Sequence, residues 1–259
     1  MPMLIDSHCH LNFPDFKNDL DDVIARAGAA GIGKMVSICT KLEEFAEIAA
    51  IADKYPNVYC SVGVHPHDAD EKNAAEVKAE DIIKLTSYPK CVGIGETGLD
   101  YFYEHSPREE QKISFLEHIK AGRATGLPVI IHTRDAEADT IEIIKQQSGF
   151  AGLLHCFTSS YEVAKCGMDN GLYVSISGIV TFKNAVDLRE TVKKIPLEFL
   201  LVETDSPFLA PLPHRGKRCE PAFTRHTADF IAELRGISKE ELEEATTANF
   251  HKVFNKVPV

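Results

Sequence analysis

Short apolar runs rich in Val and Ile alternate along the chain with longer stretches whose apolar residues recur at helical spacing. The runs Leu4–His8, Lys34–Cys39, Val58–Val64, Cys91–Gly95, Pro128–Ile131, Gly152–Leu154, Leu172–Ser177 and Phe199–Glu203 read as strands. Each is bounded by Gly, Pro or polar residues, as buried parallel strands are. Between them lie helix signals. Ser106-Pro107-Arg108-Glu109 combines a capping-box spacing with Pro at the first helical position. The helix it opens carries Ile113, Leu116 and Ile119 at spacings of three and stops at Gly126. Leu42, Phe45, Ala46 and Ala49 form a stripe after the second run. Ser238-Lys239-Glu240-Glu241 opens a last helix with Leu242, Ala245, Asn249, Phe250 and Val253.

One strand–helix unit per roughly 32 residues, repeated eight times, predicts an α/β fold: a TIM-type (β/α)8 barrel with its active site at the C-terminal ends of the strands. A doubly wound open sheet is the competing arrangement. No linker, composition shift or low-complexity stretch divides the chain, so residues 1–259 read as a single domain.

What terminates the runs is more informative than the runs themselves. Val92-Gly93-Ile94-Gly95 stops on Glu96, Val129-Ile130-Ile131 on His132, Gly152-Leu153-Leu154 on His155, and Ser61-Val62-Gly63-Val64 on His65. Leu200-Leu201-Val202-Glu203-Thr204 leads to Asp205, and the first run passes into His8 and His10. Residues two apart in a strand share a face, so those two imidazoles point the same way. In a closed barrel all these ends meet at one mouth. Imidazoles and carboxylates gathered there suit a divalent metal ion. Any one of them could be a satisfied buried polar group, which for a lone strand-end histidine is the better reading; their coincidence at strand ends is what points to a shared metal site.

Composition narrows the function classes. A formal net charge of −11 supplies no basic field to coat nucleic acid, but leaves room for an enzyme whose own metal ions meet phosphate. The seven cysteines are odd in number and never in a C-x-x-C arrangement, and read as reduced packing residues of a cytoplasmic protein. No apolar run is long enough to span a membrane, and none forms a signal core. Cys9 and Cys156, beside candidate ligands, are expected to face away from them by strand alternation. No aromatic series is evident that would favour stacking against nucleobases.

Several motifs then occur in order: His8-Cys9-His10, Gly63-Val64-His65-Pro66-His67, Gly95-Glu96-Thr97-Gly98-Leu99-Asp100-Tyr101, Ile131-His132-Thr133-Arg134 and Leu154-His155-Cys156-Phe157. Glu203-Thr204-Asp205-Ser206-Pro207 and Arg215-Gly216-Lys217-Arg218 complete the set. Together they closely resemble the TatD family of metal-dependent hydrolases and deoxyribonucleases, across essentially the whole chain. The resemblance implies a two-metal centre, with one divalent ion (Mg, Mn or Zn) on His8, His10, Glu96 and Asp205. A second would lie on His132 and His155, Glu96 bridging the two. A carboxylate can span two cations, which a single imidazole nitrogen cannot, and paired ions suit phosphodiester chemistry.

Glu96 and Asp205 are accordingly the expected catalytic pair, Asp205 either accepting a proton from water or serving as a structural ligand only. His65, Arg134, Lys183, Arg215, Lys217 and Arg218 are candidate substrate contacts, Arg being suited to phosphate by its planar fork. Glu203 and His67 are candidates for holding the ligands from behind. The family commonly has Asn where this chain has Cys219, which puts the order of that loop in doubt. The expected activity is phosphodiester hydrolysis on DNA, 3'-5' and exonucleolytic on single strands, by a monomer needing no protein partner. Hydrolysis of a D-aminoacyl-tRNA or another small ester, or binding of metal or nucleic acid without catalysis, stand as the alternatives.

Overall fold

Within residues 3–69 and 77–259, which the computed structural model describes, strands and helices alternate as the pattern predicts. The strands are β1 (Leu4–Cys9), β2 (Ile32–Ser37), β3 (Val58–Val62), β4 (Cys91–Asp100), β5 (Val129–Arg134), β6 (Gly152–Leu154), β7 (Tyr173–Ile176) and β8 (Leu200–Val202). The helices are α1 (Leu20–Ala29), α2 (Phe45–Lys54), α3 (Ala79–Leu85), α4 (Arg108–Thr125), α5 (Glu137–Gln146), α6 (Tyr161–Asp169), α7 (Val186–Lys194), α8 (Thr224–Arg235) and α9 (Lys239–Val253). The strands pair in sequential order, each parallel to the next. The ring closes just beyond β8, where Cys9 bridges Ser206. Asp205 N–H donates to the His8 carbonyl at 2.9 Å, and His10 N–H to the Ser206 carbonyl at 2.8 Å. Closure selects the barrel over the open sheet.

Inside the ring the side chains change character from bottom to top. Ile5, Val36, Val92, Ile130, Leu153 and Leu201 pack against Phe250 and Val253 of α9 and Phe254 beyond it, sealing the lower end with apolar surface. Above them Ser7 meets Ser175 at 2.9 Å, and the Ser61 hydroxyl donates to the Gly95 carbonyl at 2.5 Å. The titratable groups occupy the layer above those hydroxyls. A larger apolar cluster fills the shell between strands and helices.

Four local expectations are corrected. β4 runs on to Asp100, five residues beyond the predicted end, because Gly98, Leu99 and Asp100 stay paired with His132, Thr133 and Arg134 of β5. Gly98 is required there: it has φ +132°, and a Cβ would lie 2.0 Å from the His132 carbonyl oxygen. At the start of α4 no capping box forms, because the Ser106 hydroxyl donates instead to the His67 carbonyl at 2.8 Å. The buried face of α4 is also rotated from the predicted stripe: Ile113 is 52% exposed, while Phe115, His118 and Ile119 face inward. α2 shows the same rotation, burying Phe45, Ile48 and Ala52 and exposing Ala46. The Ser238 cap of α9 is present, its hydroxyl accepting from Glu241 N–H at 3.0 Å. Gly126 ends α4 at φ 71°, as predicted.

His118 ties α4 to the strand end that presents His65. Its Nε2 accepts from Val64 N–H at 2.9 Å, which places the proton on Nδ1, 2.7 Å from the Ser114 carbonyl it donates to. Complete burial pushes its pKa down from 6.5 to about 4. Between those pH values only the unfolded chain binds the proton. Stability from this histidine is therefore intact above pH 6.5 and falls as pH drops towards 4, by about 3 kcal/mol in all. His118→Gln keeps an acceptor for Val64 and cannot titrate. It is expected to flatten the decline, measured by urea unfolding across that range; an unchanged slope would contradict the assignment.

Candidate metal centre

β4 supplies the residue around which the mouth is built. Glu96 is 3% exposed, and its two carboxylate oxygens face different groups of histidines. Oε2 lies 3.4 Å from His8 Nε2 and 4.0 Å from His10 Nε2. Oε1 lies 2.7 Å from His155 Nε2, 3.1 Å from His132 Nδ1 and 3.4 Å from His65 Nε2. Asp205 closes the first group, its Oδ1 3.2 Å from His10 Nε2 and 3.6 Å from His8 Nε2. Within each group the imidazoles approach each other: His8 and His10 Nε2 are 3.3 Å apart, as are His132 Nδ1 and His155 Nε2.

Such nitrogens cannot all carry protons at these distances, and separations near ~3 Å are those of donors sharing one cation bound at about 2 Å. Among the described residues three sets can close on an ion: His8, His10 and Glu96; His8, His155 and Asp205; and His65, Glu96 and His132. The donor set therefore fits divalent metal. His155 stacks on His8 at 3.8 Å and belongs to both halves of the cluster. His65, expected at substrate, sits within ligand reach.

The charge balance of the cluster follows its geometry. Burial would raise Glu96, but His155, His65 and His132 outweigh it and hold the carboxyl well below the usual range. Burial likewise opposes protonation of His155, and Glu96 and Glu203 reverse this, raising it well above an ordinary imidazole. At His65 burial outweighs the opposing pull of Glu96 and pushes the imidazole down to about 4. Burial and the neighbouring His155 lower His8 as well. Neutral His8 and ionised Glu96 are thus in the state that binds metal, while neutral His65, whose Nδ1 accepts from His67 N–H at 3.1 Å, turns its Nε2 proton towards Glu96.

Carboxylates orient the outer nitrogens. Glu203, fully buried, lies 3.3 Å from His155 Nδ1 and accepts from Cys156 N–H at 2.7 Å. Asp100 does the same for His132, with Oδ2 3.1 Å from its Nε2 and 3.0 Å from His67 Nε2. Its Oδ1 accepts from Tyr103 N–H at 2.9 Å and Phe102 N–H at 3.1 Å. Burial opposes ionisation of Asp100, yet His132, His67 and the Tyr103 amide hold its carboxyl well below the usual range. Sequence reasoning passed over Asp100. Its even spacing from Glu96 along an extended strand was the available signal, hidden by ending that strand at Gly95. Asp100→Asn is expected to weaken metal binding about 10–100-fold by freeing the His132 ring, measured by calorimetric titration. Unaltered affinity would show that the ring is held by packing alone.

Asp205 is aimed by a turn with φ 59°, uncommon for a residue with a side chain. Asp6 secures that turn, accepting from Thr204 N–H at 2.9 Å and from the Thr204 hydroxyl at 2.6 Å. Burial raises the Asp6 carboxyl to about 7.

A cavity of about 770 Å³ opens over the cluster. His10, His65, His67, Glu96, Asp100, His132, His155 and Asp205 line it, with Lys41 and Arg134 as its basic groups. Lys183, Arg215, Lys217 and Arg218 lie outside that lining. Arg218 is engaged with Asp19 at 2.6 Å, and Arg215 lies over the Phe182 ring at 3.8 Å. The loop with Cys219 is ordered without an Asn side chain. Cys219 N–H donates to the Pro207 carbonyl at 2.9 Å, and Glu220 accepts a two-pronged contact from Arg26 at 2.9 and 2.7 Å. Cys9 packs in the core as expected. Cys156 does not face away: it lies past the end of β6, at φ 40°, where strand alternation no longer holds, and it lines the cavity. Burial raises its thiol well above the usual value, so it is a poor thiolate ligand.

Comparison with known proteins agrees with this geometry. The family model for TatD related DNase matches residues 5–255. The chain is 43% identical over 257 residues to the uncharacterised metal-dependent hydrolase YcfH of Escherichia coli K12, covering 97% of this chain and 96% of that one. It is 34% identical over 261 residues to the 3'-5' ssDNA/RNA exonuclease TatD of Salmonella typhimurium, covering 98% and 100%. The crystal structure of YjjV, a TatD homologue from E. coli K12, superposes with a TM-score of 0.91 at 30% identity over 98% of each chain.

Proposed function

The chain belongs to the family of TatD related DNases, which are metal-dependent hydrolases, and on that premise we propose that it cleaves phosphodiester bonds in single-stranded nucleic acid from the 3' end. The observation that carries this reading is the division of Glu96, one oxygen towards His8 and His10 and the other towards His132 and His155. In this reading His8, His10, Glu96 and Asp205 hold one divalent ion (Mg, Mn or Zn), and Glu96, His132 and His155 hold a second. When bound, such a pair of ions acidifies water and neutralises charge on the attacking and leaving oxygens of a phosphodiester.

The remaining work falls to this chain's own groups. Glu96 fixes the spacing of the two histidine groups. Asp205, held ionised by His10 and His8 against the opposing effect of burial, orients the attacking water and takes its proton. Arg134 is the cavity cation that meets the entering phosphate, Lys41 being paired with Asp68 of the same lining at 3.1 Å. Unpaired cysteines throughout agree with a reducing, cytoplasmic setting. No helix among the described residues is long and apolar enough to cross a membrane. The enzyme acts as a monomer in this proposal.

The test is a time course on end-labelled single-stranded DNA with Mg, Mn or Zn supplied separately and a chelated control. Stepwise, metal-dependent shortening from the 3' end is the expected result. No cleavage by protein shown to hold metal would remove nucleic acid as substrate and direct the next assay to aminoacyl esters.

A further inference from the structure

Three aromatic side chains among the described residues are exposed, Phe102 at 54%, Tyr103 at 51% and Phe208 at 51%. Their location is not scattered. Tyr103 and Phe208 both line the cavity above the candidate centre, and Phe102 abuts Tyr103 with ring centroids 4.8 Å apart. Isolated exposed rings need no explanation, but rings confined to the rim of one polar cavity do.

Each group is braced by neighbouring rings rather than left as a loose side chain. On one side Phe13 lies nearly parallel to His10 at 4.6 Å, and Phe208 stands edge-on to Phe13 at 5.9 Å. This pair adjoins the His10–Asp205 half of the cluster. On the other, Tyr103 lies parallel to His105 at 5.5 Å and edge-on to His67 at 5.4 Å. The Arg134 guanidinium sits 3.9 Å from the Phe102 centroid and 4.7 Å from that of Tyr103. This group adjoins the His67–Asp100–His132 half. Sequence inspection found no aromatic series because the residues come from three separate loops, after β1, β4 and β8, which only the closed barrel brings to one rim.

We propose that Phe208 with Phe13, and Tyr103 with Arg134, are two stacking platforms for the unpaired bases on either side of the cleaved phosphodiester. The inference rests on the nuclease reading. Aromatic rings at both flanks of a cation-binding centre match a nucleotide backbone whose bases project away from it. A base stacks on an aromatic ring or an Arg plane whatever its identity, and a paired base has no free face to offer. The platforms therefore select single strands without selecting sequence. A small ester without bases would gain nothing from them.

The experiment compares KM on a short single-stranded oligonucleotide with KM on the same strand carrying abasic residues at its 3' end. Wild type is expected to show a KM about tenfold lower on the base-bearing strand. Phe208→Ala and Tyr103→Ala each raise that KM about tenfold, raise it far less on the abasic strand, and leave kcat within a few-fold. Phe208→Tyr and Tyr103→Phe, which keep a ring, restore the low value. Equal KM values on both strands in the wild type, or variants that weaken both strands alike, overturn the platforms while the nuclease stands. Hydrolysis of neither strand defeats the nuclease reading and the platforms with it.

Discussion

Glu96→Gln is expected to lower kcat by at least about 10³-fold, equivalent to roughly 4 kcal/mol of transition-state stabilisation, and to reduce the metal held per chain. The expectation follows from what each Glu96 oxygen faces. Oε1 lies among His155, His132 and His65, and Oε2 faces His8 and His10. An amide offers one acceptor oxygen and turns an NH₂ towards the other histidine group, so one half of the cluster loses its anionic partner. The Glu96 side chain is itself almost wholly buried, so losing its charge there is costly. Metal analysis of the purified variant beside its rate is the check. A variant that retains full metal content and rate would remove Glu96 from the centre of the scheme.

Asp205→Asn comes second in size, with kcat falling by about 10²–10⁴-fold. Its value lies in separating two roles. If Asp205 only holds an ion, a higher metal concentration restores the rate of the variant. If it takes the proton of the attacking water, saturating metal leaves the rate low, because Asn can coordinate weakly through its carbonyl but cannot accept a proton. The second outcome is expected. The unusual backbone of Asp205 and the Asp6–Thr204 contacts that brace its turn are a costly way to position a group whose only duty is to fill a coordination site.

How much of this was legible in the sequence depended on whether a signal was local. Strand positions follow from short Val- and Ile-rich runs, and β6 coincides with its predicted span. The convergence of His8, His10, Glu96, His132, His155 and Asp205 was legible because each follows an apolar run and a barrel gathers the C-terminal halves of its strands at one mouth. Asp100 was lost with the truncated β4, since the apolar run stops at Glu96, although pairing with β5 carries the strand on through Gly98, where close approach demands a glycine. The face of α4 turned because buried His118, which periodicity counts as polar, belongs to its core side. Basic residues were the least legible. Charge clustering at Arg215–Arg218 says nothing of where the loop carries it, and Arg218 is engaged with Asp19 on the way into α1. The aromatic rim was invisible for the opposite reason, being assembled from positions far apart in the chain.

The most direct test of the central claim titrates a divalent ion into chelated protein while bound metal per chain and hydrolysis of single-stranded DNA are followed together. The account predicts two equivalents bound, with activity appearing as the second is taken up and both losses coinciding in Glu96→Gln. Full activity at one equivalent, or binding that stops at one, would contradict a centre in which Glu96 joins two ions.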